Sequence, residues 1–236
     1  HRLGFLEKDM PRLVEMLQAQ DVISPRSVFS HLAAADAPEM DDYSREQFAI
    51  FARCCDVLQA GFSHHILRHI LNSTGITRFP EYQYDMVRLG ICLYGIPTLP
   101  DRSQGDLQPV SSLSTVIIAI KEWEAGTTIG YNRRGVLHRR SRIATIPIGY
   151  ADGLNRHLGN GHSTVLVNGH RCPTVGNICM DICMIDVTDV DCEVGDTVEI
   201  FGRNISVMEI ADTLGTIPYE VLTSVSSRVK RVYYRE

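Results

Sequence analysis

Three short apolar runs in the first half of the chain each end in residues able to do chemistry. Ser27–Phe29 runs into Ser30-His31, Ile66–Leu71 into Asn72-Ser73, and Met86–Leu89, with Arg88 inside it, into Gly90-Ile91. A serine hydroxyl with backbone N–H groups from two successive loops is what a phosphate monoester requires, and parallel barrels place such groups at the carboxyl ends of their strands. The same residues also suit plainer work, with Ser73 as a helix cap, Gly90 as turn geometry and Arg88 in a surface ion pair. The second half adds Tyr131 after Gly130, Tyr150 after Gly149, and the pair Met180-Asp181. A tyrosine on a glycine bend is poorly packed by its neighbours and suits the wall of a cleft. A tyrosine hydroxyl ordinarily titrates at about 10, so as a general base it needs cations nearby, and without them it reads as a half-buried ring.

Lysine chemistry has three candidates, Lys8, Lys121 and Lys230, against twenty arginines. The seven cysteines (Cys54, Cys55, Cys92, Cys172, Cys179, Cys183, Cys192) contain no C-x-x-C pair. His170 and Cys172 beside Cys179 and Cys183 lack the spacing of a zinc site, so no metal is expected and the thiols read as buried side chains in a reducing cytoplasm.

The elements that must position these residues change rhythm along the chain. From Asp9 to Gln20, Met10, Leu13, Met16 and Leu17 recur at helical intervals, with Pro11 in the first turn. Asp41 and Asp42 open a second helix whose face carries Phe48, Phe51, Ala52, Cys55 and Leu58, and Gly61 closes it. A turn or short helix over Pro80–Tyr84 precedes the third strand, Met86–Leu89. Strands alternating with helices predict parallel βα units of a doubly wound sheet or a (β/α)8 barrel. After Pro109 the period becomes two: Val116, Ile118 and Ile120 share one face, Val165 and Val167 precede an Asn168-Gly169 turn of type I′, and Val198 and Ile200 follow Gly195-Asp196. That half reads as a mostly antiparallel β domain. The segment from Pro97 to Gln108, rich in Pro, Gly, Asp and Ser, divides the two, giving 1–105 as βα units and 106–236 as the β domain.

With 236 residues, 44% of them hydrophobic, and a net charge of -5, the chain fits one or two globular domains. The longest apolar stretches, such as Val116–Ile120 and Ile91–Tyr94, are far from a membrane span, and His1–Phe5 does not resemble a secretory signal. No long basic block exists to meet nucleic acid, and the local tail of Arg228, Lys230, Arg231 and Arg235 reads as a solvated edge. No membrane and no nucleic-acid partner is expected.

Taken together, the segments resemble the alanine racemases, fold-type III pyridoxal-phosphate enzymes. The likeness runs in order through His1-Arg2-Leu3-Gly4-Phe5, Ser30-His31-Leu32-Ala33-Ala34-Ala35-Asp36, Asn72-Ser73, and Met86-Val87-Arg88-Leu89-Gly90-Ile91-Cys92-Leu93-Tyr94-Gly95. It continues through the two glycine-tyrosine segments, Gly176-Asn177-Ile178-Cys179-Met180-Asp181, and a closing run from Pro218 to Arg231. The resemblance implies the later βα units of a (β/α)8 barrel followed by a β domain. It implies a homodimer in which one subunit's barrel and the other's β domain share each active site. The implied activity is racemisation of L- and D-alanine with pyridoxal 5'-phosphate, supplying D-alanine for cell-wall peptidoglycan. Carried over by motif, Arg88 faces the cofactor's pyridine nitrogen and keeps it unprotonated. His31 links Arg88 to Tyr131 of the partner subunit, the base for the α-proton of L-alanine. Ser73, Gly90 and Ile91 hold the phosphate. Arg2 approaches the cofactor's phenolic oxygen and the substrate carboxylate, Met180 offers its backbone N–H to that carboxylate, and Tyr150 narrows the entrance.

Two positions depart from the family pattern. Ser227 stands where many members carry a tyrosine that contacts the phosphate. The cofactor-binding lysine motif, of the type Val-Lys-Ala-Asn-Ala-Tyr-Gly, has no counterpart, since Lys8, Lys121 and Lys230 lie in other contexts. The chain therefore reads as the C-terminal part of a longer racemase, inactive alone. Two alternatives remain open: a racemase of the same fold with a different or broader amino-acid substrate, and a non-catalytic β-domain module.

Overall fold

A computed structural model describes residues 2–99, 101 and 107–233. His1 of the opening motif, Arg235 of the basic tail and much of the Pro97–Gln108 boundary segment lie outside the described residues. The chain divides into two compact units, His1–Leu107 and Gln108–Glu236.

The first unit begins with a 3-10 turn over Glu7–Asp9 that leads into helix α1, Met10–Gln18, with Pro11 at its start. Strand β1, Ser27–Phe29, and strand β2, Leu67–His69, form a parallel pair, Ser27 opposite Leu67 and Phe29 opposite His69. Between them runs helix α2, Asp41–Ala60. Its apolar face buries Phe48, Phe51, Cys55 and Leu58 as the spacing predicts. Phe48, 1% exposed, stacks on Tyr82 at 3.7 Å between ring centres. Burying such a ring contributes roughly 1.5–3 kcal/mol. Gly61 ends α2, but in a right-handed conformation with φ of -81°, so left-handed freedom is not its role. A Cβ there would meet Val14 Cγ1 of α1 at 2.4 Å, and close approach of the two helices is what requires glycine.

Two expectations change in this unit. Ser73–Arg78 is a helix, α3, capped by the Asn72 side chain, which accepts from Gly75 N at 2.9 Å. The cap is therefore Asn72, and Ser73 is the first helical residue. Met86–Leu89 is not a strand. It is tied through Asp85 N–H to Arg68 O (3.1 Å) and Arg88 N–H to Leu71 O (2.9 Å), three residues apart instead of the alternate-residue spacing of a ladder.

Every strand pair described in the second unit is antiparallel. Strands β3 (Leu113–Val116), β4 (Ala119–Trp123), β7 (Ser141–Ile146), β8 (Thr164–Val167), β9 (His170–Pro173), β10 (Cys183–Asp186) and β11 (Thr197–Phe201) form two sheets, ordered β10-β7-β4 and β3-β11-β8-β9. A small ribbon pairs β5 (Thr128–Ile129) with β6 (Gly135–Val136), and helices α4 (Val207–Leu214) and α5 (Pro218–Ser224) follow. The Asn168-Gly169 hairpin has positive φ at both residues, 47° and 82°, as a type I′ turn requires. The alternation read through Val116, Ile118 and Ile120 is corrected. Val116 and Ile118 are 42% and 47% exposed, and the core residue is Ile117, at 1%. The chain changes sheets there: Ile117 N–H donates to Asp196 O beside β11, while Ile118 N–H donates to Thr145 O of β7. Crossing between sheets resets which parity faces inward. Burial pushes Cys172 up to about 11 and Cys183 up to about 12, so both remain neutral thiols inside this core.

Candidate active site

In the first unit the predicted residues gather around Arg88. Its Nη1 lies 2.8 Å from His69 Nδ1 and donates to His69 O at 3.1 Å; its Nη2 donates to Ser30 O at 2.6 Å and lies 3.2 Å from His31 Nδ1. A guanidinium can only donate. Both Nδ1 atoms must therefore accept, which places each ring's proton on Nε2 and keeps both imidazoles neutral. The electrostatics agree: burial, then the charge of Arg88, then that of Arg2 lower the His31 pKa, and burial and Arg88 lower that of His69. Phe29 stacks on His69 with 5.4 Å between ring centres and lies under the Arg88 guanidinium at 5.1 Å. Arg88 is thus a partly buried cation oriented by carbonyls and imidazoles, and the surface-ion-pair reading falls away.

Ser73 is 4% exposed, and its Oγ accepts from Gly90 N at 2.9 Å and Cys92 N at 3.4 Å. Ile91 opens a 3-10 turn over Ile91–Tyr94 that ends at Gly95, with φ of 75°. The loop after β2 and the loop after Arg88 are thereby joined through one hydroxyl, bringing Ser73, Gly90 and Ile91 together. The His31 loop is held from α2, where Gln47 accepts from Ala33 N at 3.0 Å and donates to His31 O at 3.3 Å. Arg2 is exposed.

In the second unit Tyr150 and Met180 share one construction. Tyr150 N–H donates to Cys179 O and Ala151 N–H to Met180 O, both at 3.0 Å. Gly149 makes this fit, because a Cβ there would stand 2.3 Å from both acceptor carbonyl oxygens. Asp152 accepts from Gly149 N at 2.9 Å, and Arg228 bridges Asp152 and Asp181 at 2.7 Å each. Tyr131 stands on a separate bend between β5 and β6, and its carbonyl accepts from Asn177 Nδ2 at 3.1 Å. Tyr131, Tyr150 and Met180 are 70%, 45% and 53% exposed, so all three residues face outward from the unit.

Comparison with known proteins decides the family. A sequence model described as the N-terminal domain of alanine racemase matches residues 1–98, and one for its C-terminal domain matches residues 110–233. The chain belongs to the alanine racemase family. It is 44% identical to alanine racemase 2 of Caldanaerobacter subterraneus subsp. tengcongensis across 98% of this chain and 61% of that protein. It is 39% identical to the alanine racemase of Clostridium tetani across 100% of this chain and 62% of that one. Among solved structures, the alanine racemase from D-cycloserine-producing Streptomyces lavendulae superposes with a TM-score of 0.91 at 30% identity, covering 100% of this chain and 64% of the other. That of Bartonella henselae, with covalently bound pyridoxal phosphate, gives 0.85 at 34% identity, covering 99% and 63%. The chain spans about three-fifths of the length of these relatives. The fold expectation holds: βα units of the barrel type precede an antiparallel β domain.

Sequence reasoning missed His69, Gln47 and Asn177. His69 left a trace, since it shares strand parity with the buried Leu71, and a polar residue on the inward face of an apolar run calls for a partner. Gln47 and Asn177 left none, because a surface-type amide carries no mark of what it will bond.

Proposed function

We propose that this chain carries the cofactor-binding and substrate-reading residues of a pyridoxal-phosphate-dependent alanine racemase, with residues 1–105 as barrel units and 106–236 as the β domain. The observation that supports it most is the Arg88 cluster. Pyridoxal phosphate would be met by an all-donor group facing its ring nitrogen, which favours the unprotonated form of that nitrogen. Ser73 Oγ accepts the Gly90 and Cys92 N–H groups and so keeps its own O–H to donate to a phosphate monoester, and the buried His69 Nε2 has no hydrogen-bond partner among the described residues. The residues present therefore fit this cofactor. When bound, it withdraws electron density from the α-carbon of an amino acid so that the α-proton becomes labile.

The chain's own residues then divide the work. Arg88 supplies a fixed positive charge held by His31 and His69. Ser73, Gly90 and Ile91 hold phosphate, Arg2 and the Met180 N–H hold the substrate carboxylate, and Tyr150 limits the entrance to a small side chain. Tyr131 takes and returns a proton at its hydroxyl. Because Tyr131, Tyr150 and Met180 are exposed on the β domain, they suit completing the site of a second subunit in a head-to-tail homodimer. Seven free cysteines suit a cytoplasmic location, and no helix among the described residues is long and apolar enough to cross a membrane.

The test is chiral analysis of L- and D-alanine, and of serine as a competitor, turned over by the product of the full reading frame with pyridoxal phosphate added. Alanine racemisation is expected. A protein that binds the cofactor and racemises no amino acid would overturn the reading in favour of a non-catalytic module.

A further inference from the structure

The Tyr131 bend is not made to hold itself. Gly130, Asn132 and Arg133 have φ of 75°, 57° and 53°, and Arg133 is a residue that seldom takes this conformation. The β5/β6 ladder pairs Thr128 with Val136 and Ile129 with Gly135, which leaves 130–134 outside it. Among the described hydrogen bonds, one ties this bend to a segment beyond 128–136: Asn177 Nδ2 donating to the Tyr131 carbonyl at 3.1 Å. Asn177 is 8% exposed, and its Oδ1 accepts from Asn160 Nδ2 at 2.9 Å. A carbonyl can only accept, so the amide has one possible orientation. The backbones also meet closely, for a Cβ on Gly176 would stand 2.6 Å from Ile129 O. Asn177 opens the turn that carries Cys179 and Met180, to which the Tyr150 segment is bonded. One buried amide therefore joins the bend bearing the tyrosine to the turn bearing the carboxylate-reading N–H.

We propose that Asn177 is a positioning residue, fixing where the Tyr131 hydroxyl stands relative to the Met180 turn by giving one amide hydrogen to the Tyr131 carbonyl. The proposal rests on the reading of Tyr131 as the proton-transfer residue.

Asn177→Asp tests the donor itself. It keeps the size of the side chain and the acceptor for Asn160, but as a carboxylate it turns an oxygen toward the Tyr131 carbonyl. Protonated, it regains one O–H that can donate to that carbonyl, and burial raises a carboxyl's pKa, so this form gains as pH falls from 8 toward 5. Amide hydrogen exchange of peptides covering 129–136, corrected for intrinsic rates, reads the bend without any cofactor. Near pH 8 the variant should exchange about tenfold faster than the parent, the effect of one lost hydrogen bond, and near pH 5 its protection should move back toward the parent's. Asn177→Leu should be fast at both. Cys179, whose thiol donates to Asn177 O and is pushed up by burial, stays neutral throughout. His157 and His162, which flank Asn160 in the sequence, are present in the parent as well, which makes the parent the control. Parental protection of Asn177→Asp near pH 8, or equal loosening at both pH values, overturns the proposal. Should Asn177→Asp lose its β-sheet signal near pH 8, Asn160→Ala replaces it: with the amide free to rotate, exchange should rise about threefold, and an unchanged rate overturns the proposal. In the full-length, cofactor-loaded enzyme, Asn177→Asp should slow α-proton exchange from L-alanine near pH 8 and recover toward pH 5. A loosened bend with parental exchange from L-alanine overturns the assignment of Tyr131 and the functional half of the proposal, leaving the anchoring intact.

Discussion

Replacing Gly149 by alanine separates steric from conformational reasons for a glycine. Unlike Gly153 or Gly176, Gly149 does not adopt a positive φ, so alanine carries no conformational penalty of that kind. The whole cost is contact. An alanine Cβ would stand 2.3 Å from Cys179 O and Met180 O, about 1 Å inside the contact distance real side chains keep. Those two oxygens accept the Tyr150 and Ala151 N–H groups at 3.0 Å, and a retreat of about 1 Å stretches both bonds beyond hydrogen-bonding range. Two bonds at about 1 kcal/mol each, with about 1 kcal/mol of strain, give a loss of about 3 kcal/mol. At roughly 2–4 °C per kcal/mol, thermal unfolding of the β domain followed by circular dichroism should shift downward by about 6–12 °C. Gly169→Ala is the contrast. Nothing lies within 4 Å of its would-be Cβ, so only its φ of 82° is strained, and a loss of about 1 kcal/mol is expected. If Gly149→Ala unfolds within about 2 °C of the parent, which is under about 1 kcal/mol, the Tyr150 and Met180 segments are not locked together.

Protonation should weaken the first unit. The pKa values of His31 and His69 are lowered in the folded chain, so below the unfolded value of about 6.5 the unfolded state binds more protons and stability falls as pH drops; urea unfolding should show this, with a shallower slope in His69→Gln, and a flat profile would refute it. Arg228→Leu breaks both of its ion pairs and should speed amide exchange at 149–153 and 180–182 with little effect on overall stability, since the pairs are solvent-exposed; unchanged exchange would leave Arg228 without a clamping role. Borohydride treatment of the 236-residue chain with pyridoxal phosphate should leave Lys8, Lys121 and Lys230 unmodified at stoichiometric cofactor, as peptide mass spectrometry would read, because none lies in the family's lysine motif. In the full-length enzyme, Tyr131→Phe should slow α-proton exchange by about 10²–10⁴ for L-alanine and much less for D-alanine; parental exchange from L-alanine would make Tyr131 a wall of the pocket, with Tyr150 the next candidate.

Periodicity revealed the elements whose burial is one-sided. Phe48, Phe51, Cys55 and Leu58 could lie together only on a helix, and Val165 and Val167 before Asn168-Gly169 could only be a hairpin. The pattern failed where one residue serves two partners in turn. Val116, Ile118 and Ile120 alternate as one strand would, yet the sheet changes at Ile117, and no residue type announces that the inward parity has moved. Gly61 is a similar case, since its sequence position suits a left-handed cap while its reason lies in Val14, forty-seven residues earlier.

The candidate site was legible to the extent that its chemistry needs rare groups. Arg88, His31, Ser73 and Tyr131 stand out because each is a chemically capable group at or near the end of an apolar run or on a glycine bend. The residues that aim them did not stand out, because aiming is done by common groups whose role exists only in three dimensions. His69 fixes the tautomer opposite Arg88 by accepting one bond, Gln47 holds the His31 loop with an amide's two ends, and Asn177 does the same for Tyr131. Each joins segments well separated in sequence. In each case both partners have a required polarity: a guanidinium that only donates, carbonyls that only accept, and an amide that must do one of each. That constraint is why substitutions at these supporting positions should be read by which donor or acceptor they delete, and why Asn177→Asp, with its donor restored by a proton, is a sharper probe of the site than truncating any of the reactive side chains.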